Sequence, residues 1–282
     1  MRSYQRNVEY PLSESQRQRL ESEILKEMQR TLTARRFIDV YGPLGAGLET
    51  VSYETYGVDA LAEVDLEGGR DARVIQAESE VYKRIPLIYK DFIFHWRDVE
   101  LSRALDAPLD VSRAVRAAHF LAHREEDLIY HGHRELGMEG LLNAEKRLTT
   151  PMLDWNQFGK AYVNIREATL ALLDAHHHRP YAAVLSPQLY AALLKTEKDM
   201  PVIEIDSITK LCEDGVYQSP VLKPEQAVVV SCGPENFDLA IAEDVSIAYL
   251  GPRNMNYGFR IYESIVLRIK RPTAICTLET GP

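Results

Sequence analysis

The chain has 282 residues, 45% hydrophobic and 27% charged, a balance that suits a globular protein with one large or two modest cores. Its net charge of −9, with no long basic run, argues against nucleic-acid binding by backbone neutralisation. No run of about 18 apolar residues is present to cross a membrane, and the opening MRSYQRNVEYP lacks the apolar core of a signal peptide, so a cytoplasmic protein is expected.

The first predicted element is a helix over residues 13–34. Ser13 and Gln16 form a capping box just after Pro11. Leu20, Ile24, Met28 and Leu32 recur every fourth residue as one narrow apolar stripe, while Arg17, Arg19, Glu21, Glu23, Lys26 and Arg30 cover the other faces; such a stripe docks on a single surface. The helix ends before a Gly42-Pro43 turn. Residues 49–80 hold nine acids against two bases and so carry −7 of the −9. Two readings of that stretch stay open: a solvated loop, or an extended arm lying on neighbouring subunits. Gly57, Gly68 and Gly69 punctuate it, and the alternation over 72–76 suggests an extended hairpin.

Residues 85–96 have strand character. Asp110 opens a strong helix over about 111–131, with Val111, Val115, Ala118, Ala122 and Ile129 near one face. A second long helix covers about 158–177 and stops at Arg179-Pro180. Tyr181–Leu185, Ala227–Ser231 and residues 238–241 are short buried strands. The best strand covers 259–270, with Phe259, Ile261, Ile265, Leu267 and Ile269 on one face. Helices in the middle and strands at the ends predict an α+β fold rather than a βαβ repeat.

The search for chemistry finds little. His119 and His123 lie four apart beside Glu125, Glu126 and Asp127, but neither the Glu-x-x-His pair of carboxylate-bridged metal sites nor HExxH is present. A solvated or interface-facing helix surface is the plainer reading. His176-His177-His178 closes a helix, where adjacent residues point to different faces. The Gly42–Gly47 stretch lacks the Lys and Ser/Thr of a phosphate loop. Cys212, Cys232 and Cys276 lie beside apolar residues with no CxxC spacing and read as buried free thiols. No metal site and no catalytic residues are expected.

Arg35-Arg36-Phe37-Ile38-Asp39-Val40-Tyr41-Gly42-Pro43-Leu44-Gly45 resembles the R-[RK]-F-[IV]-D-[VL]-x-G-P-x-G segment near the N-terminus of encapsulins, shell proteins that assemble into hollow compartments around an enzyme cargo. Pro86-Leu87-Ile88 with Trp96 and residues 98–103 fits the same family. So do Glu125-Glu126-Asp127-Leu128-Ile129-Tyr130-His131-Gly132, Gly137-Met138-Glu139-Gly140-Leu141-Leu142, and residues 215–219, 238–241 and 267–272. In order and spacing the resemblance covers essentially the whole chain. It is similar to the family 1, linocin/encapsulin type, nearest to shells that enclose ferritin-like iron-oxidising cargo.

The resemblance implies an α+β fold of the tailed-phage major-capsid kind (Hong Kong 97 type). Its parts would be an N-terminal arm with a cargo-docking helix (1–44), an extension loop (45–84), a peripheral domain (85–137 and 225–282) and an axial domain (138–224). It implies a homo-oligomeric icosahedral shell of about 60 copies or a multiple, capturing cargo by a C-terminal targeting peptide, for iron storage and protection from oxidative stress. The expected cargo is a ferritin-like iron oxidase, with a dye-decolorising peroxidase second; neither nucleic acid nor membrane is expected as partner. Cargo-peptide residues would be Ile24, Met28, Arg35, Phe37, Ile38 and Asp39. Inter-subunit contacts from the extension loop would use Val51, Tyr53, Tyr56, Leu61 and Leu66, gaining partners only in the assembly. The pore loop would be Lys195, Thr196, Glu197, Lys198, Asp199 and Met200. No cofactor is expected: shells with bound flavin place an aromatic near Trp96, but the preceding residues differ here. Against this stand a viral major capsid protein, disfavoured by the −9, and a metal-dependent oxidoreductase built on the His119/His123 helix.

Overall fold

The computed structural model describes residues 10–56, 62, 64, 66–67, 74–195 and 203–280. In chain order these form α1 (Glu14–Thr31), β1 (Val40–Tyr41), β2 (Thr50–Tyr56), β3 (Ala77–Arg84), β4 (Leu87–Phe94), α2 (Trp96–Ala104) and α3 (Ser112–His131). Then come β5 (Leu148–Pro151), α4 (Lys160–Asp174), β6 (Tyr181–Leu185), α5 (Pro187–Leu193), α6 (Glu204–Thr209), β7 (Gly215–Gln218) and β8 (Ala227–Ser231). Two long strands, β9 (Phe237–Arg253) and β10 (Asn256–Ile269), and the short β11 (Ile275–Glu279) complete the chain.

Two sheets organise the fold. The first has the order β1-β9-β10-β4, the second β5-β11-β8-β6-β7, and β2-β3 is a separate two-stranded hairpin. α3 packs across β4 and β10, and α1 lies on α3. The stripe of α1 supplies this contact: Leu20, Ile24, Met28 and Leu32 are all buried in the same core as Leu121, Ile129, Phe92 and Phe259. The capping box forms as expected: Gln16 N donates to Ser13 Oγ and Ser13 N to Gln16 Oε1.

β6 and β8 explain their own composition. Ala182, Val184, Val228 and Val230 face the first core, while Tyr181, Ala183, Leu185, Ala227 and Val229 face a second core built on Trp155, Ile165 and Leu172. Strands buried on both faces need a continuous apolar run rather than alternation. The sheet pairing also crosses the expected boundary at residue 225. β8 and β11 belong to the same sheet as β5, β6 and β7, so the C-terminal segment contributes to both halves of the molecule.

α3 ends at Gly132, where φ is +67°. A Cβ there would sit 2.2 Å from Met138 O, because the loop turns straight back and Leu141 N and Leu142 N donate to Ile129 O and Tyr130 O. Only glycine allows that approach. Several short elements, α2, α5, α6, β5 and β11, lie beyond what periodicity shows, since two helical turns or four strand residues are too few to set a pattern.

Candidate functional site

A buried charge cluster lies where the chain leaves α1. Residues 34–36 form a short 3-10 turn, and the Arg35 side chain reaches inward from it to three carboxylates. Nε donates to Glu125 Oε1 at 2.6 Å and Nη2 to Glu125 Oε2 at 3.0 Å, a fork on α3. The same Nη2 donates to Glu263 Oε2 of β10 at 3.0 Å, and Nη1 donates to Asp244 Oδ1 of β9 at 2.9 Å. The side chains of Glu125 and Glu263 have 0% exposure, against 59% for Asp244. Burial pushes Glu125 up despite Arg35, and burial with the neighbouring Glu125 charge pushes Glu263 well above the carboxylate range. For Asp244 burial pushes upward, but the Arg35 charge and hydrogen bond together with the Val245 N–H overcome it and hold the carboxyl low.

One residue on, Glu126 is also wholly buried and does different work. Its Oε1 accepts from Thr33 N at 2.7 Å and Ala34 N at 2.8 Å; its Oε2 accepts from Thr33 Oγ1 at 2.5 Å and Ser219 Oγ at 2.8 Å. A buried carboxyl group that accepts from four donors has both oxygens satisfied. Together the two adjacent acids of α3 fasten the turn at 33–35 to the helix and to the loop after β7.

Between α1 and α3 the surface opens into a groove of about 720 Å³, walled by Arg19, Glu23, Glu27 and Arg30 on one side and Val115, Arg116, His119 and Phe120 on the other. Its acids already have partners: Glu23 pairs with Lys26, and Glu27 with Arg30 and His119. Phe120 is half-exposed on the groove wall, with the Lys90 ammonium 5.4 Å and the Arg116 guanidinium 5.6 Å from its ring centre.

The structure places the expected site residues as follows. Ile24, Met28, Phe37 and Ile38 are buried in the first core, covered by the chain itself rather than lining an open groove. Phe37 stacks on Tyr217 at 5.7 Å. Arg35 is committed to its three acids, and Asp39 is exposed. Val51 at the hairpin base is buried with Ile85, Met138, Ala240, Ala242 and Val266, so this residue finds its partners within one chain. Tyr53 is half-buried, and desolvation raises its hydroxyl to about 12. Tyr56 and Leu66 remain exposed. Lys195 is exposed and donates to Asn156 Oδ1 at 3.2 Å. Leu61 and the pore-loop residues Thr196, Glu197, Lys198, Asp199 and Met200 lie outside the described residues.

The histidine readings resolve too. His119 Nδ1 lies 3.1 Å from Glu27 Oε1, and His123 is solvent-exposed. Glu125 and Glu126 are turned inward, away from any solvated surface, which corrects the expectation for that stretch. Among the described residues no three His, Cys, Asp or Glu side chains are grouped to hold a metal. His177 is buried against Thr273 Oγ1 at 2.8 Å and kept neutral, its pKa lowered to about 4 by burial and the Arg271 charge. The three cysteines are buried and free. Trp96 is half-buried, with the Arg97 guanidinium 5.6 Å from its ring centre. No described helix is long and apolar enough to cross a membrane.

Sequence reasoning missed Glu263. The signal was present: it occupies the apolar row Phe259, Ile261, Glu263, Ile265, Leu267, and a lone acid in such a row demands a buried partner.

Comparisons place this architecture. A family model described as encapsulating protein for peroxidase matches residues 1–266. The type 1 encapsulin shell protein of Myxococcus xanthus is 45% identical over 273 residues, 97% of this chain and 95% of that protein. A diheme-cytochrome-encapsulin shell fusion protein of Kuenenia stuttgartiensis is 37% identical, covering 89% of this chain and 69% of its own. A ferritin-like-encapsulin shell fusion protein of Pyrococcus furiosus is 26% identical, covering 73% and 55%. Among solved structures, a virus-like particle from Pyrococcus furiosus superposes with a TM-score of 0.75 at 22% identity, over 93% of this chain and 98% of that one. The capsid of Myoviridae phage XM1 gives 0.61 at 12% identity, over 86% and 90%. The α+β fold is therefore the one shared by that particle and by phage capsids.

Proposed function

This chain belongs to the encapsulin family of shell proteins, and from that premise we propose that it encloses a ferritin-like iron-oxidising enzyme, captured by that enzyme's C-terminal tail, for iron storage and protection from oxidative stress. As an encapsulin it is a structural protein that builds an icosahedral compartment, not an enzyme. An icosahedral shell needs about 60 copies or a multiple, joined by more than one kind of contact about its symmetry axes. The observation that carries the cargo assignment is the Pyrococcus furiosus relative, whose name joins a ferritin-like unit to an encapsulin shell. The family description, which names peroxidase, keeps a dye-decolorising peroxidase as the second cargo.

The tail's seat is the groove between α1 and α3. Ile24 and Met28 lie on the buried side of α1, so an arriving peptide meets the groove residues instead. Phe120 and Val115 offer apolar surface there, and exposed Asp39 remains available as a separate polar anchor. Each docked tail binds weakly, but many sites within one shell raise the effective concentration.

Co-expression tests this. Shells are purified with a ferritin-like partner carrying or lacking its C-terminal tail, and cargo per shell is counted by gel densitometry and native mass spectrometry. Tail-dependent loading that Phe120→Ser lowers several-fold supports the groove. Loss with Asp39→Ala alone moves the seat to the Asp39 surface. Equal loading without the tail overturns tail capture, and loaded shells that gain no iron core in ferrous salt overturn iron storage.

A further inference from the structure

Arg35 brings one positive charge to three carboxylates, two of them out of contact with water. Full ionisation would leave the cluster at −2 with unpaired charge in the core, a state that buried carboxyls avoid by taking up a proton. The geometry says which one. Glu125 takes the fork of Arg35 with both oxygens, and Asp244 is open to solvent. Glu263 accepts from an Nη2 already shared with Glu125, its carboxyl also meets that of Glu125, and its Oε1 is buried with no hydrogen-bond donor. It sits at an irregularity of the β9–β10 ladder, between Tyr262 and Ser264, where such a break re-aims a side chain.

We propose that Glu125 and Glu263 form a proton-binding site, in which one proton, resident on Glu263 and shared with Glu125, is a structural ligand that fastens the Arg35 turn to α3, and that its release as pH rises loosens the turn. The groups around it are few. Arg35 comes from the 3-10 turn, Glu125 and Glu126 from α3, and Asp244 from β9, with Glu243 turned to Ser246 Oγ. Glu126 is committed to Thr33, Ala34 and Ser219. β4 contributes apolar Ile88 opposite Glu263. Among the described residues no second cation pairs with either buried acid.

The sign of the effect follows from linkage. Glu263 has a higher proton affinity in the folded chain than unfolded, so the stability it contributes is complete below the ordinary carboxyl range and is lost as pH rises through its folded value. Asp244 works in the opposite direction, contributing above the carboxyl range and losing that contribution in acid.

The test is hydrogen exchange on the assembled shell, read at the amides of Arg36, Phe37 and Ile38, which donate back into the turn. After correction for intrinsic exchange, wild type is expected to open more with rising pH, by up to about tenfold per pH unit for one released proton. Glu263→Gln, a neutral mimic of the protonated acid, is expected to remove that slope, while peptides of α4 move in neither protein. A flat wild-type profile, or the same slope in Glu263→Gln, overturns the proposal. Should that variant not assemble, infrared spectroscopy of the wild-type shell decides. A protonated-carboxyl stretch that bleaches as pH rises supports the site, and its absence at neutral pH overturns it.

Discussion

The turn at residues 33–35 and the β2–β3 hairpin are both arms that leave the body of the chain, and they are finished to different degrees. The turn is complete within one molecule, since every polar group it turns inward meets a partner on α3, β9 or β10. Among the described residues the hairpin is tied to the body by Val51, by Ile85 N donating to Glu49 O, by Lys83 Nζ donating to Gly137 O and by Arg268 Nη1 donating to Ser52 O. Along the hairpin Tyr56 is 49% exposed and Tyr82 65%, and between its strands Val74 is 80% exposed and Leu66 fully. A two-stranded hairpin with its apolar side chains in water is marginal alone. The difference separates what one chain secures by itself from what it leaves open.

The largest effect that would break this division is Arg35→Ala. Two buried acids would lose their cation, a loss of about 3–5 kcal/mol when one partner of a buried pair is removed. Denaturant unfolding of the dissociated chain measures it; a loss under about 1 kcal/mol would show that the turn is not secured from within. Next is Ile24→Ala, which empties a fully buried site of the α1 stripe and is expected to cost about 2–5 kcal/mol. A near-neutral result there would mean that α1 is docked as loosely as the hairpin tip. A smaller, kinetic effect concerns the thiols. Burial raises Cys212 to about 12 and Cys276 to about 11, and burial with Asp214 raises Cys232 further. Thiol reagents at mild alkaline pH are expected to label none of them until the chain unfolds; fast labelling would show that the cores open readily.

Much of the finished half was legible in sequence because its signals are local. The four-residue stripe of α1, its capping box and the two-faced runs of β6 and β8 each report a neighbour within one or two turns or strands. Glu263 stands out in sequence as a lone acid in an apolar row, but its partners were not legible, because Arg35 is 90 residues from Glu125 and 228 from Glu263 and no spacing rule links them. Glu125 and Glu126 therefore read as surface acids beside His119 and His123. Their burial follows only from where Thr33 and Arg35 fall after α1 docks. The apolar docking residues were legible as apolar but not as covered: periodicity shows that Ile24 and Met28 share a face, not that the chain's own α3 and sheet already occupy it.

The smallest effect on a single chain is the sharpest test of the comparison. Tyr56→Ser and Tyr82→Ser remove half-exposed and exposed rings from the hairpin, where surface changes shift folding stability by within about 0.5 kcal/mol. We propose that in the shell the same rings meet neighbouring copies, where a buried aromatic at an interface is worth about 2 kcal/mol or more. That loss recurs at every copy around a closed particle. The double variant is thus expected to unfold at the wild-type denaturant midpoint when dissociated, yet to elute as small species rather than hollow particles by sizing chromatography and negative-stain microscopy. A double variant that still closes into uniform particles would place the shell's adhesion elsewhere than the exposed rings. One that loses several kcal/mol as a single chain would show the hairpin to be part of the folded body after all.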